Sequence, residues 1–189
     1  MLSGIFILFL VFIIAFSGVF INLTKKGGHS GVVLVRDSRS LLLFRLLVPG
    51  ALATSVLVYF SGRAHIFLPA FAVYGGLMLV FAGLALRWAA VLSLGSAFTV
   101  QIAILTNHSL KTDGVYKYIR HPSYTGLLLY YLGLGLAMQN WLCLLLLVAG
   151  PLIAVLNRIR LEENVLRGHF GEAYSDYVSH TCKLIPFIY

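Results

Sequence analysis

The sequence predicts an all-α fold: a polytopic membrane helix bundle of about five transmembrane helices, with a helical hairpin in its C-terminal half. Composition is the first observation behind that reading. Of 189 residues, 60% are hydrophobic and 11% charged, whereas a soluble domain carries about 45–50% apolar and about 25% charged residues. The second is the recurrence of apolar runs near the length needed to cross a bilayer, about 20 residues. The third is the placement of the basic residues, which fall between those runs.

Leu2 to Leu23 is the first run, uncharged until Lys25. It lacks a basic leader, exceeds the length of a signal-peptide core and is followed by Lys25-Lys26, so it reads as a retained helix. The second span runs from Leu41 to Phe60, with Arg45 near its start and Pro49-Gly50 as an expected kink. Ile66 to Leu86 is the third, ending at Arg87-Trp88. Segment 89–107 is apolar but interrupted by Gly95, Ser96, Thr99 and Gln101; a helix extension, an interfacial stretch and a re-entrant piece all fit it. Tyr124 to Met138 and Trp141 to Leu156 form the hairpin about Gln139-Asn140, and its first arm is short for a full crossing.

With five spans, 13 of the 14 Lys and Arg residues fall on one side, Arg63 being the exception. The bias puts the N-terminus outside and the C-terminus in the cytoplasm. A formal charge of +8 thus reflects topology, and its dispersal among apolar spans argues against a nucleic-acid partner. Cys143 and Cys182 lack CxxC spacing, so neither a structural disulfide nor a metal site is expected.

Polar residues crowd into two stretches, 108–124 and 157–183. In the first, Asp113-Gly114 signals a turn, and Pro122 suits the first turn of the helix that follows. Arg120 and His121 are then displayed at a helix N-terminus, where free N–H groups favour anions. Taken alone, Arg120 is a headgroup anchor and His121 a cap. In the second stretch Arg158 and Glu162 are i, i+4 neighbours and Arg160 and Glu163 i, i+3 neighbours. The bland account is a solvated, salt-bridged helix exit; ionisable residues clustered at a membrane boundary are also functional candidates. Residues 170–177 read as a short amphipathic surface helix. Gly133 and Gly135 by themselves signal close helix packing.

Together these stretches resemble the isoprenylcysteine carboxyl methyltransferase (ICMT) family and its wider relatives, including phospholipid N-methyltransferases. The matching residues are Leu94-Gly95, Leu110, Gly114-Val-Tyr116-Lys-Tyr118 and Arg120-His121-Pro122-Ser-Tyr124-Thr-Gly126. One hairpin later come Glu162-Glu163-Asn-Val-Leu166, Phe170-Gly171, Tyr174, Tyr177 and Lys183-Leu-Ile-Pro186. The resemblance covers roughly residues 90–189, making that region catalytic and residues 1–89 three generic membrane spans. It implies S-adenosylmethionine as methyl donor, with Leu110, Gly114, Tyr116, His121, Pro122, Tyr124 and Glu163 as cofactor contacts. Gly133 and Gly135 fall near the Gly-x-Gly proposed for the phospholipid enzymes. Arg120, Arg158 and Glu162 match positions around the reacting groups. Lys183 stands where many relatives have Arg, and Lys holds a carboxylate less specifically than a bidentate Arg.

The expected function is methylation of a lipophilic substrate, with O-methylation of a prenylcysteine carboxylate as the specific reading and no metal required. N-methylation of a phospholipid head group is the alternative within the same class. A non-catalytic membrane subunit or carrier, which binds no cofactor, and a sterol or quinone reductase, which binds nicotinamide, are the readings from other classes.

Overall fold

The structure is a computed structural model and describes residues 3–24, 32–34, 38–95, 98, 103–105 and 110–185. Its helices are α1 (Gly4–Thr24), α2 (Ser38–Phe60), α3 (Ala70–Leu94), α4 (Pro122–Ala137), α5 (Trp141–Phe170) and α6 (Glu172–Ser179). Among the described residues, α1, α2, α3 and α5 are long and apolar enough to cross a membrane. Helix α4, at 16 residues, rises only ~24 Å, as its short apolar run suggests. The chain is an integral, multi-pass membrane protein of mainly helical architecture. A small addition is the antiparallel pairing of β1 (Val32–Leu34) with β2 (Ala103–Leu105). The ambiguous 89–107 segment therefore divides, its start prolonging α3 and part of its end forming β2.

Three boundaries correct the sequence reading. Helix α3 begins at Ala70 rather than Ile66, because Pro69 at its N-cap keeps an extended backbone. It then continues to Leu94, which places Arg87 inside a helix and buries it rather than leaving it in a loop. Helix α5 runs for 30 residues, so the Arg/Glu cluster extends the last span without a break. Helix α2 continues through Pro49, and α4 starts at Pro122, whose fixed φ suits that position.

Helices α3 and α4 approach most closely because glycines oppose each other at matching seven-residue intervals. A Cβ added to Gly83 would lie 2.6 Å from the Gly126 carbonyl oxygen. One added to Gly133 would meet the Gly76 carbonyl oxygen. Without side chains in between, the two backbones touch, the usual device for packing helices in lipid. Helix α1 turns Ile7, Leu10, Ile14, Ser17 and Ile21 inward at helical spacing. Trp88 fastens it by donating its indole N–H to Ser17 Oγ at 2.9 Å.

The α2–α3 and α4–α5 connections clasp each other at the end away from the polar stretches. Asn140 Nδ2 donates to the Arg63 carbonyl at 2.7 Å. Its Oδ1 accepts from Leu142 N and Cys143 N, both at 3.1 Å, capping α5.

Candidate active site

The buried stripe of α5 runs Cys143, Leu147, Pro151, Ala154, Val155, then Arg158, Ile159 and Glu163. One helix face thus changes from apolar to ionic as it reaches the end of the bundle bearing the basic loops. There it meets the residues before α4 and the segment after α6. Arg120 N donates to the Cys182 carbonyl at 2.8 Å and His121 N to the Lys183 carbonyl at 3.2 Å. Cys182 N returns a bond to the Tyr118 carbonyl at 3.1 Å, and Thr125 Oγ1 donates to the Leu184 carbonyl at 2.7 Å.

Two clusters result. In the first, Glu163 Oε1 lies 3.2 Å from Arg120 Nε and 3.3 Å from His121 Nε2. Lys183 Nζ stands 3.8 Å from Glu163 Oε2. One buried carboxylate thereby gathers three basic groups, and its own desolvation is offset by them. Arg120 Nη1 also donates to the carbonyls of Val178 and Thr181. His121, though the residue before α4, makes no side-chain cap; its ring turns to Glu163 and stacks beside Tyr124 at 5.8 Å.

In the second cluster, Arg158 Nε donates to Tyr124 Oη at 2.9 Å, and the Tyr124 hydroxyl donates to Glu162 Oε2 at 3.1 Å. The Arg158 guanidinium also lies over the Phe44 ring, 5.8 Å from its centroid. Arg158 is buried, at 4% exposure.

Behind the first cluster, Tyr177 donates to the Tyr116 carbonyl at 2.6 Å, and Tyr116 to the Ala90 carbonyl at 3.3 Å. Burial pushes up the phenols of Tyr116, Tyr174 and Tyr177, the last to about 12, so all three stay neutral at physiological pH.

A cleft of about 400 Å³ opens beside both clusters. Of the twelve residues assigned to the site from sequence, Arg120, Arg158, Glu162, Tyr116, His121, Pro122 and Tyr124 line it. Glu163 stands immediately behind, in contact with Arg120 and His121. Leu110 and Gly114 lie on the approach loop and do not line the cleft; Gly114 is exposed with φ +59°. Gly133 and Gly135 also stay outside it. Gly133 packs on α3, and a Cβ at Gly135 would lie 2.8 Å from Leu144 Cδ1 of α5.

The other cleft walls come from α1 and α2, through residues such as Ile14, Val19, Val48 and Leu52. Arg87 lines it too, and sequence reasoning missed this residue. Its Nη1 donates to Ser123 O at 3.1 Å and to Ser123 Oγ at 3.2 Å, while its Nε has no hydrogen-bond partner among the described residues. Arg87 follows one helical turn after Gly83, on the face that meets α4, and that placement shows only once α3 is seen to continue past it.

Residues 76–168 match the family described as "Isoprenylcysteine carboxyl methyltransferase (ICMT) family". The chain matches that family over just under half of its length. Protein-S-isoprenylcysteine O-methyltransferase of Tribolium castaneum is 36% identical over 115 residues, 60% of this chain and 41% of the relative. Protein-S-isoprenylcysteine O-methyltransferase B of Arabidopsis thaliana is 30% identical over 135 residues, 70% of this chain and 66% of the relative. A solved structure titled as the eukaryotic intramembrane Ras methyltransferase ICMT superposes with a TM-score of 0.64 at 33% identity, covering 74% of this chain and 52% of that one. The chain thus spans roughly two fifths to two thirds of the length of these family members.

Proposed function

We propose that this chain is a membrane-embedded, S-adenosylmethionine-dependent O-methyltransferase acting on a carboxylate that bears an apolar tail, of the prenylcysteine type. The observation that carries the reading is the Arg158–Tyr124–Glu162 cluster at the polar end of a cleft whose remaining walls are largely apolar. That division matches an amphiphile with an anionic head. The positive-inside bias puts this end, and with it the C-terminal segment, on the cytoplasmic side and the N-terminus outside.

The residues present fit a sulfonium cofactor. The adjacent Tyr124 and His121 rings offer aromatic faces to a cation, and Glu162 borders the same space with its carboxylate. Tyr116, His121, Pro122 and Tyr124 would hold the group, with Leu110 and Gly114 shaping the approach and Glu163 fixing Arg120 and His121. When bound, S-adenosylmethionine supplies an electrophilic methyl for an acceptor oxygen.

The acceptor carboxylate is ionised at neutral pH, so no residue must take a proton from it. Arg158 orients it, and Tyr124 keeps the guanidinium from swinging into the solvent-facing rotamers open to a free arginine. Arg120 borders the same head-group space while tying the C-terminal segment down. Glu162 accepts the Tyr124 hydrogen bond and balances the Arg158 charge, so the acceptor is held without being bound too tightly to react. The apolar walls exclude water from the reacting atoms.

The test is transfer of label from S-adenosylmethionine by the purified protein in lipid nanodiscs, with N-acetyl-S-farnesylcysteine and phosphatidylethanolamine offered in parallel. Base-labile label on the cysteine compound is expected. Base-stable label on the lipid would replace the reading with N-methylation, and failure to retain the labelled donor would remove it altogether. Glu163→Gln should weaken donor retention about 10- to 100-fold, the loss of a charge-assisted contact; unchanged calorimetric affinity would contradict its role.

A further inference from the structure

On the side of α4 away from the cleft, a second hollow of about 200 Å³ runs between α4 and α5. Leu128 and Leu132 of α4 line it with Val148 and Leu152 of α5, and Leu184 and Ile185 add the wall beside the start of α4. Thr125 also borders it, with its hydroxyl already spent on the Leu184 carbonyl at 2.7 Å. The hollow and the cleft share no lining residue. It is smaller than the about 300–1,000 Å³ of an enclosed small-molecule site, and its lining offers no free polar side chain. A stretch of one hydrocarbon chain suits it. Ile185 at 47% and Ile153, next to Leu152, at 57% exposure leave this face of the bundle open to lipid.

The charge above the hollow specifies the head group. Leu152 and Glu163 are eleven residues apart, about three helical turns, so they point to the same side of α5. At Glu163 that side meets the C-terminal segment, through Lys183 at 3.8 Å. Arg160 and Arg167 stand three and four residues from Glu163, within ~40–60° of it around the helix. The i, i+3 spacing suggests that Glu163 neutralises Arg160, but Glu163 instead serves Arg120, His121 and Lys183. Arg160 and Arg167 are exposed, and no ion pair among the described residues includes either. Arg160 lies ~12 Å above Leu152 along the axis, so two uncompensated guanidiniums overlook an apolar slot. That order, cation above hydrocarbon, complements a phosphate above an acyl chain.

The slot also touches the active-site closure. Leu184 and Ile185 continue the segment that gives the Cys182 carbonyl to Arg120 N and the Lys183 carbonyl to His121 N. We propose that the α4–α5 hollow is a regulatory site for an anionic phospholipid, whose acyl chain packs on Leu184 and Ile185 and whose phosphate meets Arg160 and Arg167, clamping the C-terminal segment onto Arg120 and His121. The site needs only the membrane bundle and its C-terminal segment, and stands apart from the methyl-transfer reading.

The test is photolabelling of the full chain in phosphatidylcholine nanodiscs carrying, at equal mole fraction, a tracer of phosphatidylglycerol or phosphatidylcholine with a diazirine in one acyl chain. Peptides containing Thr125–Leu132 and Val148–Leu152 report the hollow, and the exposed Phe71–Phe81 stretch of α3 reports bulk lipid. The phosphatidylglycerol tracer should label the hollow about fivefold more strongly for each guanidinium engaged, with both tracers equal on α3. Arg160→Gln with Arg167→Gln, two surface changes, should bring the tracers to within about twofold of each other. Leu152→Trp should fill the slot and lower labelling there by either tracer. Hydrogen exchange across residues 178–185 should slow when phosphatidylglycerol is present in the wild type, and not in the double variant. Equal labelling of the hollow by both tracers in the wild type overturns the proposal. A preference that survives the double variant with its circular dichroism unchanged does the same, as does exchange that ignores phosphatidylglycerol while the hollow is labelled.

Discussion

The α3–α4 seam and the α1–α2 side of the bundle are built from similarly apolar sequence, yet one is closed and the other holds a cleft. Along the seam, Gly76 and Gly83 meet Gly133 and Gly126, and the backbones touch. Across the cleft, the facing positions are Val48 and Leu52 on α2, Ile14 and Val19 on α1, and Tyr130 and Tyr131 on α4. Bulk at those positions holds the helices apart. In lipid, where burial itself gives little drive for helices to associate, side-chain size at the contact decides between a seam and a cavity.

Breaking the contrast at the seam should have the largest effect on stability. Gly126→Ala places a methyl 2.7 Å from Arg87 N and should cost about 1–3 kcal/mol, as overpacking does. Gly75→Ala meets nothing within 4 Å and should be neutral or slightly stabilising, since Ala favours helix by about 1 kcal/mol over Gly. Thermal unfolding of the two variants in the same nanodiscs separates them, and equal losses would dismiss the seam as a special contact.

On the cleft side, Arg158→Lys should leave the fold intact but lower methyl transfer about 100-fold, the scale of a small misplacement of a reacting group. Its circular dichroism should match wild type. Tyr124→Phe removes the hydroxyl joining Arg158 to Glu162. It should lower kcat/KM about tenfold, the low end for the loss of two hydrogen bonds, with donor affinity changed far less than by Glu163→Gln. A Tyr124→Phe enzyme with wild-type turnover would mean that the bridge orients nothing. The smallest effect belongs to Ser17→Ala, which frees the Trp88 indole that fastens α1 to α3. A loss of about 0.5–1.5 kcal/mol should show in thermal unfolding.

Much of this arrangement was legible in the sequence. Pro122 as the first helical residue, the Gln139-Asn140 turn and the Arg158/Glu162 spacing are local signals, and each depends on a few neighbouring residues. The resemblance assigned Arg120 and Glu163 to one site, but their direct contact was not foreseen, because no local rule predicts a contact across 43 positions. Arg87 was hidden because hydropathy treats any charge after an apolar run as the end of a span. Only the buried face of a longer α3 reveals it as a wall of the cleft. The contributions of α1 and α2 were likewise invisible, because a helix that is apolar all round gives no sign of which face meets protein and which meets lipid.

The backbone bonds from Arg120 to Cys182 and from His121 to Lys183 have a consequence for biogenesis. The described membrane helices all precede residues 178–185 in the chain and are therefore synthesised before them. Until Val178, Thr181 and Lys183 emerge, Arg120 lacks two of its carbonyl acceptors and Glu163 one of its cations. A chain whose helices have paired but whose residues 178–185 have not yet docked would lack those contacts around Arg120 and Glu163.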